Sequence, residues 1–242
     1  MRMSPMAANQ PWNTEGREKR AAVQDMFAQI APRYDLINGL MSFSQHHRWR
    51  RAAVESLRLQ PGDRALDVCC GTGDFILPLA QKVGPKGVVL GLDFCLPMLE
   101  LAQPKVEPSS VGLGDACQLP VLSESVNAVS VGWGIRNVPD IDQAHREAFR
   151  VLKSGGRFVS VDMAKPKNKL LRSLSTFAFN TMVPFLGALF RRKTAYAYLP
   201  KSTEKFMGRE QLSESMRKAG FVDITTRDFM LGNICMHAGR KP

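Results

Sequence analysis

The chain has 242 residues, of which 44% are hydrophobic and 23% charged, and its formal net charge is +11. This length is enough to bury a core in one domain. No apolar stretch has the length of a signal peptide or of a membrane span. Five cysteines without paired metal-ligand spacing favour a reducing compartment, with neither disulfides nor a metal site.

The predicted elements begin after a polar, turn-rich stretch over residues 1–16, which we expect to be flexible. Helices are predicted over Arg17–Ile30 and Gln45–Leu57, forming a helical cover of residues 17–60. Apolar runs then predict five strands: Arg64–Cys69, Val88–Asp93, Val111–Gly114, Ala128–Val131 and Arg157–Asp162. Three helical stretches lie between them: Phe75–Val83, Pro97–Gln103 and Asp140–Leu152. This alternation predicts an α/β fold with a parallel sheet.

The regular alternation stops after the fifth strand. Residues 165–207 have the character of a helical insertion, and a helix over Gly208–Ala219 follows, with Gly220 as its C-terminal cap. Two further strands, Phe221–Arg227 and Asn233–Ala238, are close enough along the chain for an antiparallel return. We therefore predict a mostly parallel seven-stranded sheet with an antiparallel last strand, within one domain over residues 17–242.

A glycine-containing turn follows the first predicted strand. The run Leu66–Asp74 and the acidic Asp93, at the end of the second strand, have the order of a nucleotide-type βαβ unit. Ile76 stands where a dinucleotide-binding turn needs a small residue, and Asp74 puts a negative charge where a phosphate would lie. The turn therefore favours a phosphate-free, cationic nucleoside such as S-adenosylmethionine. A turn that serves packing alone is the alternative.

Several motifs resemble the ubiquinone/menaquinone-biosynthesis C-methyltransferases, over roughly residues 22–240. They are Met26–Asn38, Leu40–His46, Ile135–Val138, Arg150–Gly156, Lys165-Pro166, Tyr198-Leu199, Ser202 and Phe206. The resemblance implies a Rossmann-like class I S-adenosylmethionine-dependent methyltransferase. This sequence departs from the family pattern at four positions. Cys69 replaces a glycine, Gly132 a serine, Asp162 a glutamate and Ala164 a serine.

The resemblance implies that Thr72, Asp93 and the pair Asp115-Ala116 contact the cofactor, in agreement with the interpretation of the turn. The full predicted cofactor-binding set is Asp67, Gly71, Thr72, Gly73, Asp93, Phe94, Asp115 and Ala116. Asp67 is expected to hold the turn or to receive the amino group of the cofactor.

A quinol carbon becomes nucleophilic when a phenolic proton leaves, so the reaction requires a base to accept the proton or a cation to stabilise the phenolate. Arg136 is the candidate to stabilise an oxyanion, and Asn137 the candidate to orient the ring oxygen. The alternative for Arg136 is an ion pair at the sheet edge. His46 and Asp162 are the candidate bases. The alternative for His46 is a packing or capping role. Asp162 is one carbon shorter than the glutamate of the family pattern, which weakens the prediction that it acts as a base.

Tyr34, Tyr198 and Phe43 are the candidate substrate-binding residues. The segment 165–193 is rich in apolar residues bracketed by lysines and arginines, and residues 165–220 hold twelve basic and three acidic side chains. Such a strip predicts contact with an anionic membrane surface and a prenyl tail. A lid over the site, or the face of a homodimer, is the alternative.

The resulting hypothesis is a cytoplasmic enzyme, peripheral on the inner face of the membrane, that C-methylates a prenylated quinol such as demethylmenaquinol. An RNA methyltransferase is the alternative prompted by the isoelectric point near 9.7. Because the basic segment is interleaved with aliphatic rather than stacking residues, we expect no nucleic-acid partner. A module that binds the cofactor without catalysis is the third hypothesis.

Overall fold

A computed structural model describes residues 16–106, 110–176, 181 and 201–242. Its helices are α1 Gly16–Ile30, α2 Tyr34–Ser42, α3 His46–Ser56, α4 Ile76–Val83, α5 Leu96–Val106, α6 Ile141–Val151 and α7 Arg209–Ala219. Its strands are β1 Arg64–Val68, β2 Val88–Asp93, β3 Ser110–Leu113, β4 Val126–Gly132, β5 Leu152–Met163, β6 Val222–Phe229 and β7 Ile234–Arg240. In addition, residues 169–176 and 201–205 are helical.

The strands form one seven-stranded sheet in the order β3-β2-β1-β4-β5-β7-β6. Strands β1 to β5 pair in parallel, and β7 runs antiparallel to both β5 and β6. The predicted fold class, with a reversed last strand, is therefore confirmed. The sheet order changes direction between β1 and β4, which places the carboxyl ends of both strands beside one crevice, where ligands bind in such sheets.

Helices cover both faces of the sheet, because the inner strands are apolar on both sides. On one face, buried residues of α3, α4 and α5 pack on the strands, with Trp49, Ile76 and Leu99 among them. On the other face, α6 and α7 pack over Phe158 of β5. This three-layer arrangement fixes the strand ends that build the site.

Some element boundaries differ from the prediction. Helix α2 was not predicted, and Gly16, placed in the flexible stretch, begins α1; residues 1–15 lie outside the described part. Strand β5 begins at Leu152, five residues before the predicted start at Arg157, and a register shift opposite Val126 and Ala128 accommodates the extra residues. Gly220 caps α7 at φ 107°, as predicted.

A buried histidine lies between α6 and α7. Ser215 donates its hydroxyl proton to Asp142, so His145 must donate its Nδ1 proton to Ser215 Oγ, 2.8 Å away. His145 Nε2 is buried with no hydrogen-bond partner in the described part of the chain. Burial, followed by the charge of His237, lowers the pKa of His145 to about 4, while Asp142 opposes the shift. The ring is therefore neutral in the folded protein.

Acidification is expected to destabilise the protein through His145. The unfolded chain takes up a proton below its ordinary pKa of 6.5, whereas the folded chain does so only near 4. The free energy of unfolding should fall by about 1–2 kcal/mol more between pH 7 and pH 5 in the parent chain than in His145→Asn, which keeps a donor near Nδ1. Urea unfolding of both proteins at the two pH values measures this difference. Equal losses in the two proteins would contradict the assignment.

Candidate active site

The glycine-containing turn after β1 opens its backbone to the crevice. Cys69, Gly71 and Gly73 have positive φ angles of 56°, 54° and 84°. A β-carbon at Gly73 would lie 2.6 Å from Val106 Cγ1, so this position needs glycine. A β-carbon at Gly71 would meet no atom within 4 Å, which shows that this side of the turn faces open space.

Asp93 ties this turn to the end of β2. Its Oδ2 accepts a hydrogen bond from the Gly71 backbone at 2.9 Å, and its Oδ1 accepts one from the Cys95 backbone at 2.9 Å. Burial raises the pKa of Asp93, and the backbone donors oppose that rise. Each carboxylate oxygen has a second acceptor position, so the group can also receive hydroxyl donors from a bound nucleoside.

A cleft of about 680 Å³, counted out to the solvent, lies over the turn and the ends of the central strands. Its walls bring together seven of the predicted site residues: Gly71, Asp93, Phe94, Asp115, Ala116, Tyr34 and Asn137. Other lining residues include Arg20, Phe27 and Met98, which the sequence did not single out. The cleft walls are mostly apolar, with a few carboxylates and amides, as is usual for small-molecule sites.

Two predicted cofactor residues are engaged elsewhere. Thr72 is buried and donates its hydroxyl to Asp35 Oδ1 at 2.6 Å. Asp67 is buried beneath the turn and accepts a hydrogen bond from Ser130 Oγ of β4 at 2.6 Å. Burial raises the pKa of Asp67 to about 7, and Ser130 opposes the rise. Asp67 therefore supports the turn from below.

The helical cover is fastened to the turn by a polar network that the sequence did not reveal. Asp35 of α2 contacts Lys105 Nζ at 2.8 Å, and Lys105 Nζ contacts Asp74 Oδ1 at 3.2 Å. Arg50 of α3 reaches Asp74 Oδ2 at 3.0 Å. On α1, Arg20 pairs with Asp115 at 2.5 Å across the cleft. These contacts join three cover helices to the two loops that bear the predicted cofactor residues.

Arg50 also supports the cleft wall. Its guanidinium lies 4.9 Å from the ring centroid of Trp133 and 5.8 Å from that of Phe75, and its side chain is buried. Trp133 lines the cleft with a positive φ of 54°. A β-carbon at Gly132 would lie 2.4 Å from Phe75, which explains why the serine of the family pattern does not fit here. The sequence did not single out Arg50, because its partners Asp74, Phe75 and Trp133 are distant along the chain.

Cys69 and Gly134 depend on each other. Cys69 occupies the position of the family glycine, and a β-carbon at Gly134 would lie 2.4 Å from Cys69 Cβ. We expect Gly134→Ala to cost about 1–3 kcal/mol of stability through overpacking. In Cys69→Gly/Gly134→Ala most of that cost should disappear, since the clashing atom is gone. Urea unfolding of the two single variants and the double variant measures this coupling, and additive losses would contradict it.

His46 is buried, and its role as a base stays a prediction. Ser42 Oγ donates to the Asn38 carbonyl at 2.6 Å, so His46 donates its Nδ1 proton to the same oxygen at 2.5 Å, leaving the lone pair on Nε2. Burial, with the charges of Arg50 and His47, lowers the pKa of His46 to about 4. His46 does not belong to the cleft wall. These contacts agree with the packing alternative.

Arg136 and Asp162 form a buried ion pair, which was the alternative given for Arg136. Arg136 Nη1 lies 2.5 Å from Asp162 Oδ1 and 2.7 Å from the Trp133 carbonyl, and the two side chains are 7% and 2% exposed. The Arg136 backbone donates to Asp162 Oδ2 at 3.2 Å. Asn137 follows on the cleft wall and donates its amide to the Trp133 carbonyl at 3.2 Å. The pair therefore anchors the loop that presents Asn137.

The candidate substrate residues differ in position. Tyr34 lines the cleft beside Phe27, with ring centroids 6.0 Å apart, and burial raises the pKa of its phenol. Phe43 is 73% exposed at the end of α2. Tyr198 lies outside the described residues. In the described ranges, no group of three or more His, Cys, Asp or Glu side chains is arranged to hold a metal ion.

The reversed last strand, the open glycine turn and the acid at the end of β2 together define a Rossmann-like S-adenosyl-L-methionine-dependent methyltransferase. Solved structures agree on the fold. A possible histamine N-methyltransferase from Thermotoga maritima matches with a TM-score of 0.63 at 22% identity, over 90% of this chain and 99% of its own. Phosphoethanolamine N-methyltransferase 2 from Haemonchus contortus, in complex with S-adenosyl-L-methionine, matches with a TM-score of 0.61 at 18% identity. The match covers 81% of this chain and 52% of that chain.

The sequence itself identifies the family. A model of the ubiE/COQ5 methyltransferase family matches residues 13–241. A demethylmenaquinone methyltransferase from Alkalihalophilus pseudofirmus is 38% identical over 234 residues, which cover 94% of this chain and 98% of that protein. The chain belongs to the ubiE/COQ5 methyltransferase family, as the motifs predicted. It is an enzyme whose methyl donor is S-adenosyl-L-methionine.

Proposed function

We propose that this enzyme C-methylates a prenylated quinol, with demethylmenaquinol as the substrate and menaquinol as the product. The proposal depends above all on the demethylmenaquinone methyltransferases that match nearly the whole chain. The cleft supports it, because the opening at Gly71 and the Asp93 carboxylate suit a nucleoside without phosphates. Nothing in the comparisons favours RNA as the substrate.

When bound, S-adenosyl-L-methionine supplies an electrophilic methyl carbon. We propose that Asp93, Gly71, Phe94, Asp115 and Ala116 hold this donor from the cleft wall. Gly73, Asp67 and Thr72 support the turn behind them. The cleft-wall residues would hold the methyl carbon in line with a carbon of the quinol ring; the carbon–sulfur bond would break as the carbon–carbon bond forms, and the ring proton would pass to a base or to water. The enzyme contributes alignment and an activated ring.

Activation of the ring requires loss of a phenolic proton whose ordinary pKa is near 10. We propose that Asn137 orients the ring oxygen from the cleft wall. Arg136, buried outside that wall and held by Asp162, would stabilise the developing oxyanion through its charge. Tyr34 borders the same space from the cover. His46 Nε2, Asp162 and a water molecule remain the candidate proton acceptors, and Tyr198 and Phe43 the further candidate contacts to substrate.

We propose a peripheral location on the inner face of the membrane, reached through residues 165–193. The described part of this segment includes the helical residues 169–176, where Leu170 and Leu174 are 68% and 58% exposed beside Lys167, Lys169 and Arg172. Within the described ranges, no helix is both long and apolar enough to cross a membrane. Homodimerisation through this segment also stays a prediction, and sedimentation velocity tests it. The single domain over residues 17–242 stays a prediction as well.

Two experiments test the proposed reaction. Purified enzyme with methyl-labelled donor should transfer label to demethylmenaquinol in vesicles and to no transfer RNA. Extraction of quinones from a strain lacking the gene should yield the demethylated naphthoquinone. Absence of label in the organic phase, or an unchanged quinone profile, would contradict the proposal.

A further inference from the structure

The outer side of helix α2 carries an exposed apolar ridge. Leu36, Leu40 and Phe43 are 56%, 48% and 73% exposed. Leu36 and Leu40, four residues apart, lie on one side of the helix, and Phe43 follows as its C-cap residue. Phe43 is held at the tip by a tight turn, in which Phe43 and Ser44 have φ angles of 49° and 57° and the Ser44 amide donates to the Gly39 carbonyl. A left-handed Phe is rare, and the backbone hydrogen bonds of this turn fix its main chain.

The same helix forms part of the cleft on its inner side. Tyr34 lines the cleft, and Asp35 bonds to Thr72 of the glycine turn. The ridge is therefore the outer surface of a wall whose inner surface borders the site. A molecule that rests against the ridge lies beside the edge of the cleft.

Beyond Asp35, which is paired with Lys105, the chain of α2 and α3 carries only basic charges as far as Glu55. On the neighbouring helix α3, Arg48 and Arg51 are exposed. Apolar side chains flanked by arginines suit the boundary between lipid headgroups and acyl chains, where each basic group near an anionic surface contributes about 1 kcal/mol.

We propose that the ridge Leu36–Leu40–Phe43, with Arg48 and Arg51, docks on an anionic lipid bilayer and so places the cleft edge at the membrane surface. This surface is separate in sequence from residues 165–193. The inference rests on the proposed function, because a prenylated quinol resides in the bilayer and must reach the cleft from there.

Vesicle flotation tests the docking without any catalytic readout. Leu36→Ser/Leu40→Ser should bind vesicles of phosphatidylcholine and phosphatidylglycerol at least about tenfold more weakly than the parent chain. Leu122→Ser, at a leucine that is 81% exposed in the loop between β3 and β4, is the matched control and should bind as the parent does. Binding of the ridge variant at the parent level would overturn the proposal.

The charge component has its own matched pair. Arg48→Glu/Arg51→Glu should bind vesicles that contain phosphatidylglycerol more weakly than the parent chain does. Lys86→Glu/Lys218→Glu, which changes two exposed lysines elsewhere, should lose less than about half as much binding free energy. Equal losses in the two variants would show that binding depends on net charge alone, and would overturn the assignment to this surface. If the leucine variant fails to fold, this arm carries the test, since it changes only exposed side chains.

The other possible occupants give different results. If a second copy of the chain covers the ridge, Leu36→Ser/Leu40→Ser changes the mass measured by sedimentation without changing flotation. If residues 182–200 cover it, the variant lowers the melting temperature without changing flotation. Either outcome overturns the proposal. Docking that depends on the ridge, in a protein that methylates no quinol, would uphold the docking and refute the proposed function.

A kinetic measurement completes the test. With a long-tailed quinol in vesicles, Leu36→Ser/Leu40→Ser should lose about tenfold in kcat/KM, whereas a water-soluble short-tailed quinol should be methylated at the parent rate. An equal loss with both substrates would place the two leucines in the internal structure of the cover and overturn the proposal.

Discussion

Replacing Asp93 with asparagine is expected to raise the dissociation constant for S-adenosyl-L-methionine by about 10²–10⁴-fold. The Asp93 carboxylate accepts backbone hydrogen bonds from Gly71 and Cys95, and its remaining acceptor positions suit two ribose hydroxyls. An asparagine keeps the shape but turns an NH₂ group toward one of these backbone donors. Hydrogen bonds to a charged group each contribute about 1.5–3 kcal/mol, so the loss should be large.

Titration calorimetry measures this effect. Asp223→Asn removes a carboxylate that is paired only at the surface with Arg240, and it should leave the affinity unchanged. A melting temperature close to that of the parent shows that Asp93→Asn is folded. An affinity within about threefold of the parent would refute the role of Asp93.

The Arg136–Asp162 pair gives the second large effect. Arg136→Met and Asp162→Leu should each cost about 3–5 kcal/mol of stability, because each leaves an uncompensated charge in a buried site. The double variant replaces both charges by apolar groups and should regain most of that loss. The exposed pair Arg217 and Glu214 is the control, and its double variant should change stability by no more than about 1 kcal/mol.

Activity separates anchoring from chemistry in this pair. If Arg136 stabilises the developing oxyanion, the double variant stays at least about 10²-fold below the parent in kcat although it is folded. Its affinity for the methyl donor should change little, since neither side chain lies on the cleft wall beside Asp93. Return of kcat together with stability would show that the pair only holds the loop.

Local patterns predicted the positions of most strands and the reversed last strand, because apolar runs, turn residues and short connections are set by residues close in sequence. The run Leu66–Asp74 followed by Asp93 located the turn and its acid, and both line or support the cleft. Helix α2 was not predicted, and its apolar side does not face the core: Leu36 and Leu40 face outward, while Asp35 faces the turn.

The polar contacts between residues distant in sequence could not be predicted from the sequence. Thr72 bonds to Asp35 across 37 positions, and Arg136 pairs with Asp162 across 26. Nothing in the local sequence indicates which carboxylate an arginine will meet. The motif therefore placed Arg136 and Asp162 correctly near one sheet edge but as separate catalytic candidates, whereas the fold joins them as one buried pair.

The roles proposed for the cleft residues all depend on one property of the cleft above Gly71 and Asp93, namely that it holds a phosphate-free, cationic methyl donor. Titration calorimetry of the purified enzyme with S-adenosyl-L-methionine, adenosine triphosphate and a nicotinamide dinucleotide tests it most directly. We expect saturable binding of S-adenosyl-L-methionine alone. Binding of either phosphate-bearing nucleotide in its place would contradict the account.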